Sequence, residues 1–163
     1  MRDPEETLEE LTHLLDDLSS RPEDVVILVE GQKDRSALNV LGVDGEIWQV
    51  QGANPLLATA ERLAREDKQA IILTDWDRKG GQLAHSLRLA LNANGVQFDD
   101  STRLRLVNLV KTEIKDIESL PAFYTRLVSL EQRAKLERKT ARTNATLARM
   151  KSARKRERGN PPS

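Results

Sequence analysis

Val25-Val26-Ile27-Leu28-Val29-Glu30-Gly31 is the stretch that decides the fold. Five consecutive apolar residues, mostly β-branched, suit a strand buried on both faces, and such strands belong to parallel sheets sandwiched between helices. Gly31 ends the run. Upstream, Leu8, Leu11, Leu15 and Leu18 recur at helical spacing with acids between them, predicting a helix over 5–18. Downstream, the pattern predicts a helix over Lys33–Leu41, a strand over Glu46–Val50, and a helix from Pro55 to about Asp67 with Asn54 as its cap. A third buried strand follows over Ala70–Thr74, then a helix over Gly80–Asn94, then a fourth strand over Leu104–Val110, where Leu104 and Leu106 alternate. This order predicts an α/β fold: a Rossmann-like parallel sheet of about four strands with helices on both faces.

The 163 residues fit one domain plus extra length, and 38% hydrophobic residues suffice for one core. Without cysteine, disulfide scaffolds, thiol catalysis and iron–sulfur clusters are excluded. Five aromatics, Trp48, Trp76, Phe98, Phe123 and Tyr124, are too few for a module that stacks several bases. No apolar run is long enough to span a membrane and no apolar leader opens the sequence, so a cytoplasmic protein is expected.

The formal net charge of zero hides an asymmetry. Residues 126–163 hold 12 basic and 3 acidic residues, whereas residues 1–24 hold 2 basic and 9 acidic. Three segments are expected: an acidic helix over 1–23, a sheet domain over 24–120, and a basic helical extension over 121–163, disordered at its end. Arg149, Lys151, Arg154, Lys155 and Arg156 concentrate the positive charge, which predicts phosphate contact with a nucleic acid. The alternative is a solvated helix, or an arm that pairs with the acidic N-terminal segment.

Ligands of open α/β sheets bind beyond the carboxyl ends of the strands. The first strand ends there in Glu30-Gly31, followed by Lys33 and Asp34, and the third in Asp75-Trp76-Asp77-Arg78-Lys79-Gly80. Glu30, Asp75 and Asp77 are expected to converge at one rim, where a hard cation relieves their repulsion. Mg²⁺ takes one or two carboxylates, keeps several waters and fills its shell with substrate phosphate. Gly31 permits a tight turn. Gly80 opens a helix whose N-terminus favours anions. Lys33 and Arg78 flank the acids, and Lys111 follows the fourth predicted strand at the same rim; each is a candidate for phosphate or for ordinary solvation. Trp76 either stacks on a base or caps the core edge. His13 and His85 share no ligand spacing.

Glu30-Gly31-x-x-Asp34 together with Asp75-x-Asp77-x-x-Gly80 resembles the Toprim domain, found in primases, topoisomerases and nucleases. The likeness covers about residues 24–110. It is nearest to small stand-alone archaeal Toprim proteins and to the ribonuclease that matures bacterial 5S ribosomal RNA. The resemblance implies that Glu30, Asp75 and Asp77 serve one or two Mg²⁺ ions and carry the chemistry, with Glu30 as ligand or general acid/base and Asp34 supporting the turn. It departs from the pattern at Lys79, where topoisomerases often carry a third acid, and at Gln32, where the maturation ribonuclease's relatives often carry lysine; here Lys33 follows one place later. The expected function is Mg²⁺-dependent action on nucleic-acid phosphodiesters, as an RNA-processing endonuclease with RNA or a ribosomal complex as partner. The alternatives are a non-catalytic metal-binding module that holds RNA through its basic tail and, third, a primase-like nucleotidyl transferase.

Overall fold

In a computed structural model, residues 3–50 and 55–159 are described. Four strands, β1 (Val25–Val29), β2 (Ile47–Gln49), β3 (Gln69–Ile72) and β4 (Phe98–Asp99), form one sheet in the order β2-β1-β3-β4. All three pairings are parallel, with Ile27 opposite both Ile47 and Ile71. Among the described residues, six helices join and flank the strands: α1 (Pro4–Ser19), α2 (Gln32–Val40), α3 (Pro55–Arg65), α4 (Arg78–Ala93), α5 (Ser101–Val110) and α6 (Leu120–Gly159). Asn54, the expected cap of α3, lies outside the described residues.

The period-two alternation of β1 divides the core into two layers. Ile27 and Val29 pack with Leu11, Leu14 and Leu18 of α1, Leu38 of α2, Leu106 of α5 and Phe123 and Leu127 of α6. Val26 and Leu28 face the other way, onto Leu63 of α3 and Leu87 and Leu91 of α4. The crossover after β1 and the crossover after β3 therefore lie on opposite faces. Between these two neighbouring strands the winding reverses, which opens a crevice at their carboxyl ends.

The fourth strand is not where alternation places it. Residues 104–110 belong to α5, and β4 is a two-residue strand just ahead of it. Thr102, Leu106, Leu109 and Val110 are the buried side chains, spaced four, three and one apart, while Leu104 points to solvent. That is a helical stripe. Asp99 starts the helix by accepting hydrogen bonds from the Ser101 N–H (2.7 Å), the Ser101 hydroxyl (2.6 Å) and the Thr102 hydroxyl (2.8 Å). Burial works against ionisation of Asp99, but these bonds outweigh it and hold its pKa below the ordinary carboxylate value.

At the opposite, amino-terminal edge of the sheet, Arg21 fixes the end of α1. Its guanidinium donates to the carbonyls of Leu18 (2.8 Å), Val25 (3.0 Å), Asp44 (2.8 Å) and Glu46 (3.1 Å). One planar fork thus joins α1, β1 and the approach to β2. The extension after residue 121 is helical through Gly159. Its buried residues are Leu120, Phe123 and Leu127, and from Lys135 to Gly159 every side chain is exposed. No helix among the described residues is long and apolar enough to cross a membrane.

Candidate metal centre

Glu30 directly follows β1, and Asp75 and Asp77 follow β3, so the crevice between the two strands collects all three. Asp77 caps α4: its Oδ1 accepts the Gly80 N–H at 2.7 Å. An aspartate suits this place because the first helical N–H groups lack partners and carry partial positive charge. The Asp75 Oδ1 accepts the Ile117 N–H at 3.0 Å, which draws the loop after α5 onto the rim. Trp76, between the two acids, donates its indole N–H to the Ile114 carbonyl (2.8 Å) and packs on the core edge. That contact occupies the indole N–H and fits the core-edge reading.

The first turn of α4 lies hard against these acids. A Cβ on Gly80 would overlap the Asp75 carbonyl and stand 2.9 Å from Glu30 Oε1. Only a hydrogen fits there. The turn is further pinned by the buried Thr74 hydroxyl, which donates to the Gly80 carbonyl at 2.8 Å.

Glu30 Oε1 is buried and meets no hydrogen-bond donor. Burial raises the Glu30 pKa, Asp77 and Asp34 raise it further by repulsion, and the Asp75 N–H and Lys79 offset part of the effect. Asp75 is pushed up to about 7, first by burial and then by Asp34, Glu30 and Asp116, against the Ile117 hydrogen bond. Asp34 is buried, accepts the Gly31 N–H at 3.1 Å, and is also raised, chiefly by burial. Lys33 is exposed and pairs with Glu118 at 3.8 Å. Arg78 is exposed in the first turn of α4. Lys111 is exposed at the C-terminal end of α5 and follows a helix, not a strand, because residues 104–110 are helical. Arg149, Lys151, Arg154, Lys155 and Arg156 all lie on the exposed part of α6, away from the crevice.

Among the described residues no three acidic or histidine side chains stand close enough to enclose an ion. The three acids share a rim without closing into a cage, because Asp75 turns one oxygen to Ile117 and Asp77 one to Gly80. The donors nevertheless fit Mg²⁺. A buried carboxylate oxygen without a donor, repelled by a neighbouring aspartate, is an incomplete site for a hard cation, and one or two carboxylates with waters suffice for Mg²⁺.

Two further features support the rim. Arg103 donates from Nε to the Thr74 carbonyl (3.0 Å) and from Nη2 to the Asp75 carbonyl (2.7 Å), which ties α5 to the end of β3. Its role depends on residues 101–110 being a helix. The loop acids Asp116 and Glu118 face Asp34, and Asp116 also caps the turn into α6 through the Ser119 N–H (2.8 Å).

The Toprim domain model matches residues 25–119. A UPF0292 protein of Methanosarcina acetivorans is 36% identical over 76% of this chain and 84% of its own length. One from Thermococcus sibiricus is 39% identical over 77% and 96%. A solved structure of a protein from Aquifex aeolicus superposes with a TM-score of 0.51 at 24% identity, over 73% of this chain and 99% of that one, a likeness of fold. Toprim domains bind Mg²⁺ and act on nucleic acids. The matched span opens on the first residue of β1 and takes in every residue of the carboxylate rim; the chain belongs to the Toprim domain family.

Proposed function

We propose that the protein is a Mg²⁺-dependent nuclease that cuts nucleic-acid phosphodiesters, acting in the cytoplasm as an RNA-processing endonuclease. The observation that carries the reading is the buried, donor-free Glu30 Oε1 in the crevice that also receives Asp75 and Asp77. Glu30, Asp75 and Asp77 would hold the ion. When bound, Mg²⁺ would polarise the phosphodiester and lower the cost of charge on the departing oxygen. The protein's own groups do the rest. Where Asp75 and Asp77 suffice for the ion, the raised pKa of half-buried Glu30 suits it instead to the role of general acid/base. The N-terminus of α4, with room for a close approach at Gly81, favours an anionic phosphate. The exposed side chains of Lys33, Arg78 and Lys79 add positive charge near it.

Mg²⁺ titrations of RNA cleavage and RNA binding, run in parallel on wild type and Asp75→Asn, test this. Cleavage by the wild type alone is expected. A second reading has its own support: Asp75 and Asp77 each spend an oxygen on backbone N–H groups, as structural residues do. In that reading the rim is a non-catalytic metal site and the basic extension carries RNA. Equal binding by both proteins with no cleavage would establish it and remove the nuclease.

A further inference from the structure

The basic part of α6 has a direction. The Tyr124 hydroxyl lies 3.4 Å from the Thr12 hydroxyl, and Arg138 reaches Glu5 at 4.0 Å, so α6 runs antiparallel to α1. The C-terminal end of α1 is held by Arg21 at the amino-terminal edge of the sheet. The N-terminus of α1 therefore points towards the carboxyl-end rim, and α6 continues past it on the side where the crevice opens. Arg126 marks the level of the rim loop, since it pairs with Glu113 at 2.8 Å. At about 1.5 Å per residue, Arg149 stands about 35 Å and Arg158 about 48 Å further along the helix.

This overhang suits a polyanion better than a helical partner. From Lys135 onward its exposed large apolar side chains are Leu136, Leu147 and Met150, whereas a coiled-coil seam of that length needs about seven. Lys135, Arg142, Arg149 and Arg156 recur every seventh residue, which keeps them near one face of the helix.

We propose that α6 is an arm that lies along a nucleic-acid duplex whose near end occupies the carboxylate rim, so that the substrate is a duplex extending about one helical turn beyond the reacting phosphate. At about 3.4 Å per base pair in B-form DNA, the cations from Arg149 to Arg158 meet phosphates about 10 to 14 base pairs away, and a few pairs further along the more compact A-form of RNA. The inference rests on the rim acting on nucleic acid, and its test separates the two.

Matched RNA and DNA duplexes of about 8 to about 24 base pairs are titrated in low salt, with EDTA and again with Mg²⁺. Wild type is compared with the same chain carrying R149Q/K151Q/R154Q/K155Q/R156Q, whose altered side chains are all exposed and whose helicity is checked by circular dichroism. Wild-type affinity should climb at least about tenfold between about 8 and about 16 base pairs, and its salt dependence should steepen by about four to five counterions. The variant should bind every length like the shortest and keep the wild-type Mg²⁺ response. A flat wild-type series, or a variant that keeps the step, overturns the arm. A step in EDTA without Asp75-dependent cleavage leaves the arm standing and removes the nuclease; cleavage with a flat series does the reverse. A step confined to the RNA or the DNA series identifies the duplex.

Discussion

Gly80 and Gly81 are neighbours in the first turn of α4, yet the same substitution should move stability in opposite directions. At Gly81 an added Cβ meets nothing within 4 Å. Alanine there gains helix propensity and restricts the unfolded chain, worth about 0.5–1 kcal/mol. At Gly80 the Cβ would run into the Asp75 carbonyl and come within 2.9 Å of Glu30 Oε1. The obstacle is backbone, so no rotamer change relieves it. Overpacking of this kind costs about 1–3 kcal/mol. Pushing α4 outward also stretches the Asp77–Gly80 and Thr74–Gly80 hydrogen bonds, each worth about 1 kcal/mol. Against a propensity gain of about 1 kcal/mol, Gly80→Ala should destabilise by about 2–4 kcal/mol. Urea unfolding of the two variants, compared at equal m-values, gives both numbers. A Gly80→Ala midpoint within about 0.5 kcal/mol of wild type would refute the reasoning, since that is the range of an ordinary surface change. The helix would then not be pressed against the rim.

Stability should also depend on pH through the rim. Burial raises Asp75 to about 7 and moves Glu30 and Asp34 the same way. Their protonated forms favour the fold, so the contribution is full below about pH 4 and is lost as pH rises through about 7. Asp75→Asn keeps an acceptor for the Ile117 N–H and removes the charge; it should gain about 1–2 kcal/mol on wild type between pH 4 and 8, after discounting for solvent screening. Unfolding midpoints across that range would show parallel curves if the aspartate does not titrate there. Arg103→Met should cost about 2–3 kcal/mol by leaving the Thr74 and Asp75 carbonyls without donors; an unchanged midpoint would mean that α5 does not anchor the rim. Arg21→Ala should lower the midpoint by a similar amount and raise hydrogen exchange at β2 first; uniform exchange would sink the idea that one guanidinium holds that edge.

The parts of the fold legible in the sequence are those where one signal dominates. The apolar runs of β1 and β3 leave no alternative to buried strands, and the acids that end them point to the crevice. Residues 104–110 form a helix where the sequence suggests a strand, because Leu104-x-Leu106 alternates. The pair alone favours a strand. The helical stripe appears only when Thr102, Leu109 and Val110 are weighed with it, and Asp99-x-Ser101-Thr102 marks a helix start. A strand reading hides Arg103, whose two hydrogen bonds need the helix. It also misplaces Lys111. The grip of Ile117 on Asp75 was invisible for another reason: a backbone N–H has no residue type, so no sequence pattern announces it.

The two tryptophans have a consequence for how this protein can be watched. Trp76 belongs to the layer under α1, α5 and α6, held by its indole bond to Ile114. Trp48 belongs to the layer under α3 and α4, with the Arg62 guanidinium 3.9 Å from its ring centre. Each half of the core thus carries its own fluorophore, one beside carboxylates and one beneath a cation. Trp48→Phe and Trp76→Phe would leave a single emitter reporting from a single side. Stopped-flow traces of the two proteins would then time the assembly of each side of the sheet independently, with no label added to the chain.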